Sequence, residues 1–367
     1  MKRLVDWARA RWKSLIFPVL GALFVGVVFL VVLPSVADYR DVWAAMKALT
    51  WYWWIVLILA AILNVVTFGP PMMAALPGLS YRAALAVSLA SNASTYIAPG
   101  GAAVGAGFTF AMLRGWGFRG RPTTLAVALT SIWNQFVTFG TPAVAILLLT
   151  LEGGENRLLG TLAWIGFAIF AAIIVGFAIG LRSDGQAHAV GDFASRMLRR
   201  LFGLIRRKPP GFSGLSFVRF RRDAIAILRE RWHWLTAATL VGHYSVFLVL
   251  ILTLRATNVS NDEVTIIEAF AAWSLVRVLG AIPFVPGGFG VVELGLTTAL
   301  VGFGGSNAEV VAAVLIYRFL TVVPPLALGA LFGATWRQHH TGWEEQEVSA
   351  EALEASEDLA ATRDAVG

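Results

Sequence analysis

Long apolar runs alternate with short charged segments along this chain, and their lengths sort them into two kinds. Six runs are long enough to cross a bilayer, which takes about 20 residues of helix. They are Leu15–Leu33, Trp51–Ala75, Thr123–Leu149, Leu158–Leu181, Trp234–Leu254 and Val310–Phe332. The other runs form two pairs of shorter arms. The first pair is Ala83–Ala98 and the stretch running on to Met112; the second is Val264–Ile282 and Gly290–Val301. Proline and glycine interrupt each pair, at Pro99-Gly100-Gly101 and at Pro283-Phe284-Val285-Pro286-Gly287-Gly288-Phe289-Gly290. Proline removes a helical hydrogen bond and glycine lowers helix propensity, so neither stretch is expected to be continuous helix. Hydrocarbon offers no water to replace a lost backbone partner. Irregular backbone at membrane depth therefore occurs only where protein buries it or where it lines a cavity. The pattern predicts an all-α polytopic membrane protein with six full spans and two re-entrant helical hairpins, around 83–113 and 264–302.

Composition agrees, at 57% hydrophobic and 14% charged residues, against about 25% charged in soluble domains. Basic residues mark the cytoplasmic side of a membrane protein. Lys2, Arg3, Arg9, Arg11 and Lys13 place the N-terminus inside, and Arg82 with Arg114, Arg119 and Arg121 flanks the first hairpin on that same side. The stretch 182–233, rich in arginine, is also inside, whereas Glu152–Glu155 and Asn258–Glu263 lie outside. The second hairpin then enters from outside, and the acidic tail 338–367 is cytoplasmic and disordered or marginally helical. Within the basic stretch, Phe217–Trp232 interleaves arginines with Ile225, Ile227 and Leu228. It either anchors the span by charge or lies on an anionic membrane surface. Ser35-Val36-Ala37 imitates a signal-cleavage site, but the apolar core before it exceeds the roughly 7–15 residues of a cleaved signal.

The two hairpins are also related to each other. One register shift sets Pro99-Gly100-Gly101 on Pro286-Gly287-Gly288 and Gly115-Trp116-Gly117 on Gly302-Phe303-Gly304. After a small gap, Asn134-Gln135-Phe136 falls on Tyr317-Arg318-Phe319 and Pro142 on Pro325. An odd number of crossings separates the copies, so they face opposite ways. Inverted-topology repeats with discontinuous helices are the architecture of alternating-access transporters. The expected organisation is a first repeat over 1–150, a second over 151–337 and the tail 338–367. A structural protein with two packing kinks is the alternative.

Candidate chemistry gathers at the breaks. A helix that starts after Pro-Gly-Gly offers free backbone N–H groups and the positive end of its dipole to a phosphate or carboxylate. Pro99, Gly100, Gly101, Pro286, Gly287, Gly288 and Gly290 are candidates on that ground. Charged side chains inside the membrane cost about 2.5–3.5 kcal/mol each on insertion scales and mark sites by default; Arg277, Glu293 and Arg318 are the clearest. Glu293 can pair with either arginine, as a structural bridge or as part of a site. The matching positions in the first copy are Ala90, Ala106 and Gln135, so charge is concentrated in the second. Asn92, Ser94, Thr95, Asn134 and Gln135 give the first copy a neutral polar lining, and helix–helix hydrogen bonding explains each one singly. His243 reads as a packed polar residue or a proton relay. Gly176-x-x-x-Gly180 and Gly329-x-x-x-Gly333 read as packing faces. The chain has no cysteine, no Walker A sequence, no His-Glu-x-x-His and no Gly-x-Ser-x-Gly. No catalytic residue, metal, cofactor or nucleic-acid partner is expected.

The run from Ile282 to Glu293, followed by Tyr317-Arg318-Phe319 and Pro324-Pro325, resembles the flippase-like domain of lysylphosphatidylglycerol synthases and their stand-alone relatives. The resemblance is good over 264–333 and looser over 51–150. It implies a bacterial plasma-membrane protein that moves an anionic, aminoacylated or polyprenyl-phosphate-linked lipid between leaflets. It also implies that Pro286, Gly287, Gly288, Gly290, Glu293 and Arg318 belong to the lipid site. No soluble aminoacyl-transferase domain follows the last span, so synthase activity is not expected. Many relatives carry Arg-x-Gly-Glu after the first break, where this chain has Ala102-Ala103-Val104-Gly105-Ala106. Two other functions stay open: an ion-coupled carrier of a small solute, and a scaffold holding a lipid-modifying enzyme through the basic stretch. Anionic head groups at 182–233, such an enzyme and a second copy of the chain are the expected partners.

Overall fold

A computed structural model describes residues 39–97, 101–151, 157–183, 185–186, 192, 196, 214–280 and 286–336. The span expected at 15–33, Pro99 and Gly100 of the first break, 283–285 of the second, the acidic loop 152–155, most of the basic stretch before 214 and the acidic tail lie outside those residues. All regular structure among the described residues is helical. In order, the helices are α1 (Tyr39–Lys47), α2 (Trp51–Val66), α3 (Pro70–Ala75), α4 (Tyr81–Ile97), α5 (Gly101–Gly115) and α6 (Gly120–Leu151). They continue as α7 (Arg157–Arg182), α8 (Gly214–Ala256), α9 (Ile266–Gly280), α10 (Val291–Phe303) and α11 (Asn307–Thr335).

Among the described residues, four segments are long and apolar enough to cross a membrane: Trp51–Ala75, Gly120–Leu151, Phe220–Ala256 and Asn307–Thr335. They coincide with four of the expected spans. The first is two helices in series, because α2 stops at Val66 and α3 restarts on Pro70-Pro71. Proline is tolerated in a first turn, where its missing N–H has no helical partner anyway. In α8 the span expected at Trp234 and the basic segment Phe217–Trp232 form one helix of 43 residues. The basic segment is thus a continuation of the span, not a separate surface element. Arg121 holds it to the start of α6 through two hydrogen bonds to Asp223, Nε to Oδ2 at 2.5 Å and Nη2 to Oδ1 at 2.6 Å.

Between the spans lie two helical hairpins, α4–α5 and α9–α10. In the first, Gly101 lies against the Thr95 backbone and Gly105 against Ser91 and Thr95, so the arms run antiparallel at a separation only glycine permits. In the second, Gly288 faces Gly280 and Gly295 faces Val276. Each hairpin packs with the span that follows it and also against the span that follows the other. Thus α4 lies along α11, and α9 lies along α6. The α4–α11 seam closes through Gly329, where a Cβ would strike the Leu89 carbonyl, with Gly333 beside Phe108 and Ala90. Lipid is as apolar as leucine, so such close approaches and interhelical hydrogen bonds hold the bundle more than hydrophobic burial does. Gly329-x-x-x-Gly333 is therefore a packing face. Gly176 is exposed, with no atom within 4 Å of a Cβ built on it, so Gly176-x-x-x-Gly180 is not one among the described residues.

Two large apolar cores result among the described residues, with a small third cluster at Val311 and Ala312. One surrounds Trp273 between α2, α8, α9, α10 and α11; the other surrounds Met112, Leu113 and Leu129 between α3, α4, α5, α6 and α8. Polar contacts join the two halves at several places, Arg121 to Asp223, Asn64 to Ser245 and Trp133 to Thr236 among them, and one further set lies where the hairpins approach each other.

Candidate substrate site between two helical hairpins

The second hairpin supplies most of the site. After α9 ends at Gly280, the chain resumes in a 3-10 turn, Pro286–Gly288, before α10. Gly287 and Gly288 have φ of 64° and 63°, and Gly290 has 81°, a left-handed conformation that costs side-chain-bearing residues about 1–2 kcal/mol. The turn aims Glu293, three residues beyond Gly290, back over the start of α10. Its Oε2 accepts the Gly290 N–H at 2.6 Å, where the helix dipole favours a negative charge. Its Oε1 accepts Arg318 Nε at 2.7 Å. Arg318 comes from α11, donates a second hydrogen bond through Nη2 to the Gly287 carbonyl at 3.0 Å, and lies 5.2 Å over the Phe289 ring. The side chains are 2% and 11% exposed, so this is a buried pair that staples the turn to α11.

Arg277 takes a different position. Near the end of α9, its Nη2 donates to His243 Nδ1 at 3.0 Å, and its guanidinium stacks 4.9 Å from the Trp273 ring centroid. A nitrogen that accepts from arginine must be unprotonated, so His243 is neutral and carries its proton on Nε2. That proton is given to Asn134 Oδ1 at 2.8 Å. One polar chain thereby crosses α6, α8 and α9. The Trp273 indole N–H donates to the Tyr317 hydroxyl at 3.2 Å, and Tyr317 and Tyr96 are electrostatic neighbours of both arginines.

Tyr96 brings in the first hairpin. It ends α4, its ring centroid is 5.8 Å from that of Phe289, and a Cβ on Gly287 would collide with its ring. Asn92 lies one turn earlier on the same face, and its Oδ1 is buried without a partner.

The structure thus gathers Gly287, Gly288, Gly290, Glu293 and Arg318 at one turn, with Arg277 beside them and Asn92 on the facing arm. Glu293 takes Arg318, not Arg277, as its partner. Gln135 is not in this cluster: it is exposed and makes no hydrogen bond to it, because a step of one residue on α6 turns it away from Asn134. Gly101 serves the α4–α5 contact, and Pro99 and Gly100 lie outside the described residues. Sequence reasoning missed Tyr96, Phe289 and Trp273. Tyr96 carried a signal, since it stands three residues before Pro99 as the one aromatic residue of the arm after Tyr81.

A multi-pass helical membrane protein whose intramembrane charges meet between paired broken helices is the class that these features define. The Lysylphosphatidylglycerol synthase TM region family matches residues 19–329, and the chain belongs to that family. Membership places it among membrane proteins of lipid handling. No curated protein matches the chain.

Proposed function

We propose that the protein is a lipid translocase of a bacterial plasma membrane. It holds a phosphate-bearing head group between the two hairpins while the tails remain in the bilayer. The observation that carries this reading is the contact of Tyr96, at the end of one hairpin arm, with Gly287 and Phe289 in the turn of the other, beside the buried Glu293–Arg318 pair. Buried charge at the meeting point of broken membrane helices is where transporters of inverted-repeat design bind their cargo.

The helix order supports an inverted repeat. Helices α4, α5 and α6 correspond to α9, α10 and α11, with lengths of 17, 15 and 32 residues against 15, 13 and 29. The exchange of packing partners, α4 on α11 and α9 on α6, fits a pseudo-two-fold relation between the halves. On this reading the chain has six spans, both termini cytoplasmic, and the hairpins dip in from opposite faces. Alternating access then requires the hairpins to part and close around the head group.

The test is leaflet exchange in proteoliposomes that carry a trace of fluorescent phosphatidylglycerol. Exchange faster than in protein-free vesicles supports translocation; rates no faster than in protein-free vesicles for phosphatidylglycerol, for lysyl-phosphatidylglycerol and for a polyprenyl phosphate would refute it.

A further inference from the structure

We infer that this site selects a head group with one net negative charge, a phosphodiester, and rejects cationic aminoacylated head groups. The inference rests on the reading that the hairpins hold a lipid head group, and it names the class. It follows from the charges. Arg277, Arg318 and Glu293 leave the cluster with one uncompensated positive charge. That charge is on Arg277, since Glu293 is committed to Arg318 and Gly290, while Arg277 has only a neutral imidazole and an indole face.

Among the described residues, no acid partners Arg277. No acidic residue occurs between Asp41 and Glu152, between Glu230 and Asp262, or in the segments 98–100 and 281–285 that complete the breaks. The acids flanking α9 are engaged elsewhere. Glu263 Oε2 accepts the Ser260 N–H at 2.7 Å, and Glu268 Oε2 accepts the Thr265 N–H at 2.8 Å and its hydroxyl at 3.0 Å. Glu268 also lies about 13 Å down the helix axis from Arg277 at 1.5 Å per residue. A half-buried guanidinium without an anion, inside a membrane helix bundle, is costly, and a single phosphodiester charge cancels it. An amine meets the opposite situation. It needs a free acidic acceptor, and both oxygens of the one carboxylate in the cluster already accept hydrogen bonds. A lysyl head group would add two ammonium charges to a site that is already positive.

The experiment measures equilibrium binding to the full chain in zwitterionic nanodiscs or micelles. The probes are dioleoyl phosphatidylglycerol, dioleoyl phosphatidylcholine, lysyl-phosphatidylglycerol and inorganic phosphate. Phosphatidylglycerol should bind about tenfold or more tighter than either of the other lipids, the preference expected from one compensated charge. Arg277→Gln should abolish that preference and Arg277→Lys should keep most of it. Lysyl-phosphatidylglycerol binding as tightly as phosphatidylglycerol would overturn the inference, and the wild-type ranking decides this even if Arg277→Gln does not fold. Retention of the full preference by folded Arg277→Gln would overturn it too. Inorganic phosphate that competes at the same concentration as the lipid would make the ligand a soluble anion, and would overturn the lipid assignment. Selective binding without leaflet exchange would remove the translocase reading and leave the charge selectivity standing. Exchange of lysyl-phosphatidylglycerol as fast as phosphatidylglycerol would do the reverse.

Discussion

Replacing Glu293 by glutamine preserves the side chain's shape and removes one charge from the most buried ion pair described. The native carboxylate serves two donors at once, Gly290 N–H at 2.6 Å and Arg318 Nε at 2.7 Å. Glutamine keeps one acceptor, so its amide nitrogen must face one of those donors. The Arg318 side chain, 11% exposed, is then left without its counter-charge. Removing one partner of a buried pair costs about 3–5 kcal/mol. Arg318 keeps its hydrogen bond to Gly287 and its contact with Phe289, which places Glu293→Gln at the low end, about 3 kcal/mol. Pairing it with Arg318→Met removes the orphaned charge. The double variant should therefore be more stable than the sum of the singles by about 1–3 kcal/mol, the usual coupling between contacting residues. Equilibrium unfolding in mixed micelles, titrated with a denaturing detergent, reads all four corners of this cycle. A Glu293→Gln protein within about 0.5 kcal/mol of wild type, the scale of ordinary surface substitutions, would refute the reasoning. So would simple additivity.

Gly287→Ala should destabilise the second hairpin by about 1–2 kcal/mol from its left-handed backbone alone, with a further loss from collision with Tyr96. Adding Tyr96→Ala should recover the second part but not the first, as read by the same unfolding titration. Gly329→Val should wedge α11 away from the Leu89 carbonyl and cost at least the roughly 1–3 kcal/mol of an overpacked core, seen as a lower thermal-aggregation midpoint in detergent. At Gly176, inside α7 and facing open space, an alanine should not lower that midpoint and should raise it slightly, since glycine costs about 1 kcal/mol relative to alanine in a helix interior.

The helices were legible because the bilayer enforces length: no apolar run such as Thr123–Leu149 can span it in another conformation. The hairpin turn was legible for the same reason in reverse, since Pro286, Gly287 and Gly288 cannot continue a helix. What the one-dimensional pattern lacks is azimuth and partner. Gln135 and Asn134 are adjacent in sequence, yet helix α6 turns one toward His243 and the other away. Charge rules left Glu293 free to choose between two arginines. The choice was made by the turn at Gly287–Gly290, which points the carboxylate toward α11. The length of α8 was misjudged for a related reason. Arginines along Phe217–Trp232 signal an interface, but they do not stop a helix, because arginine is a good helix former.

The claim on which the account stands is that the two hairpins meet and must part for a lipid to cross. The chain contains no cysteine, so Tyr96→Cys with Phe289→Cys introduces the protein's sole thiols, where the native rings stand 5.8 Å apart. A short, reducible thiol cross-linker applied to this variant in proteoliposomes should join the hairpins and stop leaflet exchange of fluorescent phosphatidylglycerol, and a reductant should restore it. Cross-linked protein that exchanges lipid at the full rate, or thiols that the reagent cannot join, would contradict it.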